Sequence, residues 1–148
     1  MGQKVNPIGL RVGISKTWNS KWYAGKDYPE QLKQDLSIQK FVKKRLKHAA
    51  ISHIEVERTA KKTKVNIFTA RPGIIIGRKG DEVERLKHEL NKLTRHEVIV
   101  NIKEIKRPEI DATLVAENIA NQLERRIAYR RAIRRAMTSA MRMNIAGC

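Results

Sequence analysis

The stretch Ile74-Ile75-Ile76-Gly77-Arg78-Lys79-Gly80-Asp81-Glu82-Val83 passes from a short apolar run through a Gly-x-x-Gly loop into the start of a helix. Glycine has no Cβ, so the main chain at Gly77 and Gly80 can approach a phosphate closely. The helix that follows aims its unpaired N–H groups at the same point. Arg78 and Lys79 put two cations between the glycines. Together these features compose a clamp for a nucleic-acid backbone.

The segments on either side set that loop in a mixed α+β unit. Downstream, Val83, Leu86, Leu90 and Leu93 recur at helical spacing from about Asp81 to Arg95, with acidic residues near the start, and Val98–Ile105 follows as a strand. Upstream, Ile51, Ile54, Val56 and then Val65, Ile67, Thr69 form two β-rich runs joined by Thr59-Ala60-Lys61-Lys62-Thr63, which reads as a hairpin. Before them, Leu36, Ile38, Phe41, Val42 and Leu46 mark a helix over Asp35–Ala50 with Lys43, Lys44, Arg45 and Lys47 on its outer side. The predicted order is helix, strand, strand, short helix, loop, helix, strand. Residues 1–34 carry turn formers such as Asn6-Pro7 and Tyr28-Pro29 without a sustained period, and predict an irregular basic extension ordered by its partner.

Arg107-Pro108-Glu109 marks a boundary, after which Asp111 can cap a helix. Val115, Ile119, Leu123 and Ile127 form one apolar stripe; Ile133, Met137 and Met141 form another. The step from Ile127 to Ile133 turns a helix by about 600°, leaving the stripes about 120° apart, so two helices with a break near Ala128-Tyr129 are expected. So short a helical pair cannot build a core alone.

The chain carries 32 Lys+Arg against 15 Asp+Glu, a net charge of +17 on 148 residues, which favours a polyanionic partner. The first acidic residue is Asp27, none lies between Asp35 and Glu55, and none follows Glu124. A single charge run is ordinarily a solvated face. Three acid-free zones beside a phosphate-type loop outweigh that reading. The lone cysteine, Cys148, excludes an internal disulfide and fits a reducing compartment. No apolar run approaches the roughly 20 residues of a membrane span, and the basic helices lack an aromatic-rich face for lipid. His48, His53, His88 and His96 form no metal-ligand spacing, no P-loop or Gly-x-Gly-x-x-Gly follows Gly73, and no catalytic constellation stands out. No enzyme, metal or cofactor is expected.

Four stretches carry a family resemblance: Met1-Gly2-Gln3-Lys4-Val5-Asn6-Pro7-Ile8-Gly9-Leu10-Arg11; Trp18-Asn19-Ser20-Lys21-Trp22-Tyr23; Thr69-Ala70-Arg71-Pro72-Gly73 through Gly80; and Gln122-Leu123-Glu124-Arg125-Arg126 through Arg130-Arg131-Ala132. The element order resembles a type II KH domain (αββααβ), whose Gly-x-x-Gly loop holds about four nucleotides. In detail the chain resembles the KH-containing third protein of the small ribosomal subunit in its bacterial form. Members of that family continue into a strand-rich part that completes a second α/β domain, so a C-terminally truncated copy is expected. The implied division is a basic extension over 1–34, a type II KH domain over 35–106 and the helical start of a second domain over 107–148.

The resemblance implies a structural protein of the small-subunit head that binds ribosomal RNA, neighbours other head proteins and lies near the messenger RNA entrance, held by RNA rather than by copies of itself. Carried over, the message-facing role falls on Arg130, Arg131, Arg134 and Arg135, flanked by Arg125 and Arg126. Gly77, Arg78, Lys79 and Gly80 are the loop candidates. Lys4, Arg11, Lys16, Lys21 and Lys26 are candidates for phosphates along the extension. Trp18 and Trp22 could stack on bases, although tryptophans four apart commonly anchor an extension to its own domain. Neutralising about six phosphates would give a salt slope near −4 on single strands. The rival is a free KH-type regulator or assembly factor, which would not need the extension and the arginine helix together. The bacterial cytoplasm is the expected compartment because no transit segment precedes Met1, although an organelle-encoded copy would need none.

Overall fold

The computed structural model describes residues 2–59, 62–94 and 96–143, so Ala60 and Lys61 of the hairpin loop, the expected helix end at Arg95 and the terminal Cys148 lie outside the described residues. Ten labelled elements follow in chain order: α1 Pro7–Arg11, β1 Ser20–Lys21, α2 Tyr28–Arg45, β2 Ile51–Arg58, β3 Lys62–Thr69, α3 Pro72–Ile76, α4 Asp81–Thr94, β4 Glu97–Glu104, α5 Ala112–Glu124 and α6 Tyr129–Arg142. From α2 to β4 this is the expected αββααβ succession. The second helical region follows it.

One sheet runs in the order β1-β2-β3-β4. β2 and β3 pair antiparallel with Val56 opposite Val65, and β3 and β4 pair parallel with Val65 opposite Val100. A parallel pair needs a crossover, and α3 with α4 supplies it. The registers put Ile54, Val56, Val65, Ile67 and Val98 on one face, where they meet Ile38 and Val42 of α2, Ile75 of α3, and Leu86 and Leu90 of α4. Each of these is at most 3% exposed, and burying such a side chain contributes about 1.5–3 kcal/mol.

The extension is more ordered than its turn formers predict. Asn6 caps α1, its side-chain oxygen accepting from the N–H groups of Ile8 at 2.9 Å and Gly9 at 3.3 Å. β1 adds a short parallel strand, Ser20 opposite Val56. α2 begins at Tyr28 rather than Asp35, with Pro29 in its first turn, where a missing N–H costs nothing. At about 100° per residue Asp35 falls beside Val42 and Leu36 on the far side from Ile38, so Asp35 is fully buried and Leu36, an expected core residue, is 58% exposed. Leu93 likewise stays 48% exposed because α4 turns only Val83, Leu86 and Leu90 toward the sheet.

Asp111 caps α5 as expected, accepting from the N–H groups of Thr113 and Leu114 at 2.9 and 3.1 Å. Its second oxygen accepts from the Ser52 hydroxyl of β2 at 2.5 Å, tying the helical pair to the sheet. The break between the helices spans Arg125–Ala128, slightly earlier than expected, with Arg126 in the left-handed region at φ 60°. The inward face of α6 is alanine: Ala132 and Ala140 are buried, whereas Ile133, Met137 and Met141 are 43%, 49% and 55% exposed.

Candidate nucleic-acid interface

The glycine loop is shaped by two positive-φ glycines. Gly77, immediately after α3, has φ 68° and ψ −170°, and its N–H donates to the Gly73 carbonyl at 3.0 Å. A Cβ there would lie 2.8 Å from Cγ and 2.9 Å from Cβ of Glu82, so both conformation and space require glycine. Gly80 has φ 88°, but a Cβ on it would meet open space. Between them a tight 3₁₀ turn, Arg78–Gly80, hands the chain to α4. Arg78 is exposed; the Lys79 side chain lies outside the described residues. Beside the loop Ile75 is fully buried, while Ile74 and Ile76 are 47% and 43% exposed.

The loop is not purely cationic. Asp81, Glu82 and Glu84 occupy the first turn of α4. Glu82 is paired with Arg45 at 3.6 Å and with Arg85 at 3.7 Å, and Arg45 also faces Glu89 at 3.6 Å. Arg45 was read only as part of a basic helix face, because α2 and α4 are far apart in sequence.

In α6, Arg131, Arg134, Arg135 and Arg142 line one shallow surface groove with Thr138 and Ser139. On a helical wheel of about 100° per residue this strip lies roughly opposite Ala136 and Ala140. Arg130 is exposed on its flank, its Nε 3.1 Å from the Tyr129 hydroxyl. Arg125 and Arg126, also exposed, stand in the break rather than on either helix. Among the described residues none of these arginines makes an ion pair. Arg142 joins the groove although sequence reading missed it; its spacing of seven from Arg135 was the available signal.

The extension divides its candidates. Lys4 and Arg11 are exposed. Lys21 is paired with Glu55 at 3.1 Å. Trp22 donates its indole N–H to Asp35 at 2.6 Å and packs against Tyr28 with ring centroids 5.5 Å apart, the anchoring arrangement rather than an open stacking platform. Asp35 in turn accepts from Arg58 Nε at 2.8 Å, with both side chains at most 9% exposed. Trp18 is 67% exposed.

A family model described as a KH domain matches residues 37–110. Small ribosomal subunit protein uS3 of Geobacter sp. (strain M21) is 61% identical over 147 residues, covering 99% of this chain and 70% of that relative. The chain belongs to the uS3 family. The uS3 proteins of Geotalea uraniireducens (strain Rf4), at 61% identity, and Syntrophus aciditrophicus (strain SB), at 58%, also match 99% of the chain, which spans 70% and 68% of their lengths. For a uS3 chain the KH region contains the glycine loop, and the arginine groove of α6 lies outside it.

Proposed function

We propose that the arginine face of α6 lies along messenger RNA at its entrance to the small subunit, while the KH loop and the basic extension grip ribosomal RNA of the head. The coarse function follows from uS3 membership: a structural small-subunit ribosomal protein with an RNA-binding KH domain. That membership disfavours the free regulator. In this reading residues 1–34 act as a threading extension, 35–106 as the KH unit and 107–148 as the carrier of the message-facing arginines. Trp22 acts through the extension by holding it to α2. The protein resides in the ribosome among other head proteins in the bacterial cytoplasm, with no self-association.

The observation that carries the message-facing role is the exposed arginine strip on α6, free of ion pairs among the described residues. Guanidinium groups on one rigid face match a phosphate chain by charge and by bidentate hydrogen bonding. Small subunits reconstituted with this chain and programmed with message carrying 4-thiouridine downstream of the decoding site test it. Crosslinks to α6 peptides are expected. Efficient crosslinking elsewhere in the chain with none to α6 would overturn the assignment.

A further inference from the structure

Glu82 presents a difficulty for a phosphate clamp. Its side-chain carbons lie within 3 Å of where a Gly77 Cβ would be, so an acidic side chain packs against the loop at the positive end of α4. A phosphate approaching the α4 N–H groups would meet that negative charge. Arg45, in the last turn of α2, reaches across to it: Nη2 lies 3.6 Å from one Glu82 oxygen and Nε lies 3.6 Å from Glu89 Oε2. Glu89 Oε2 is shielded from water and accepts no hydrogen bond, so the Arg45 charge is its compensation.

We propose that Arg45 is a positioning residue for the glycine loop: it neutralises Glu82 and Glu89, keeps Glu82 packed against Gly77, and so leaves the loop cationic toward an RNA phosphate. The inference rests on the reading that Gly77–Gly80 binds RNA. Arg45 touches no phosphate in this arrangement. Its effect on the loop travels through Glu82, so removing Glu82 removes that effect, while the pairing with Glu89 remains a structural one.

The test uses the ¹⁵N-labelled full chain titrated with a single-stranded uridine tetranucleotide, following the amides of Gly77 and Gly80 so that binding at other basic surfaces does not contribute. Arg45→Gln should weaken loop affinity about two- to fivefold, the scale of a partly exposed charge pair, with less effect as salt rises. Arg45→Lys should retain most of the affinity. In the Glu82→Gln background, Arg45→Gln should change little, a rescue that a purely structural role for Arg45 would not give. Wild-type affinity in Arg45→Gln, or no rescue by Glu82→Gln, would overturn the proposal. Arg78→Asp separates the two levels. If it leaves the loop titration unchanged, the RNA reading of the loop fails and the proposal with it; if it weakens binding while Arg45→Gln does not, only the role of Arg45 fails.

Discussion

In the unit from α2 to β4, Ile38, Val42, Val56, Val65, Ile67, Ile75 and Leu90 are at most 1% exposed, whereas in the α5–α6 pair Leu123, Ile133, Met137 and Met141 stand 43–55% exposed. The first region closes a core between one sheet face and three helices. The second buries Leu114, Ala132 and Ala140 and presents cations outward. Burial is thus concentrated in the first region, whereas the second presents an arginine strip that makes no ion pair among the described residues. The KH unit holds the fold, and the helical pair is fixed to it by the Ser52–Asp111 hydrogen bond and the packing of α5.

The sharpest way to break this comparison is the buried ion pair. Asp35→Ala strips Arg58 and Trp22 of their acceptor and should cost about 3–5 kcal/mol in urea unfolding, because the remaining charge is left buried. Next, Leu90→Ala should cost about 2–5 kcal/mol, and Met137→Ala, on the exposed side of α6, within about 0.5 kcal/mol. Comparable costs for the last two would erase the division. Gly77→Ala should cost about 1–3 kcal/mol and more than Gly80→Ala, because Glu82 blocks a Cβ only at Gly77.

The smallest effect is one of pH. Burial holds the His53 imidazole below its ordinary value of 6.5, with Glu55 and Asp111 opposing that shift and Lys16 and Lys21 adding to it. The unfolded chain therefore takes up a proton first as the medium is acidified. The stability His53 contributes is present above pH 6.5 and is lost as pH falls through the lower folded value. Unfolding free energies from pH 7.5 to 5 should fall less steeply in His53→Gln than in the native chain.

Much of this division was legible in the sequence, and where it was not the reasons are physical. Periodicity found both β-runs and the helices α2, α4, α5 and α6, and Asp111 announced its cap, because those signals are local. The stripe of Ile133, Met137 and Met141 was legible as apolar but not its surroundings: it stands half-exposed, and Ala132 and Ala140 are the buried residues of α6. Leu36 was misplaced because its phase of about 160° from Ile38 was passed over, and the buried Asp35–Arg58 pair holds that rotation of α2. The glycine loop and the arginine cluster stood out as short motifs, whereas Arg45 meets Glu82 and Glu89 only after α2 and α4 pack together. Trp22 shows the same limit, because its spacing to Trp18 cannot reveal that Asp35 accepts its N–H.

The separation of the buried core from the arginine strip is tested most directly by replacing Arg130, Arg131, Arg134 and Arg135 together with Gln, then measuring urea unfolding and the salt dependence of binding to single-stranded RNA on the same preparation. The expected result is an unfolding free energy within about 1 kcal/mol of the native chain and a log K versus log salt slope shallower by about 3, the loss of four phosphate contacts at about 0.7 each. A native salt slope, or a loss of stability matching that of Leu90→Ala, would contradict it.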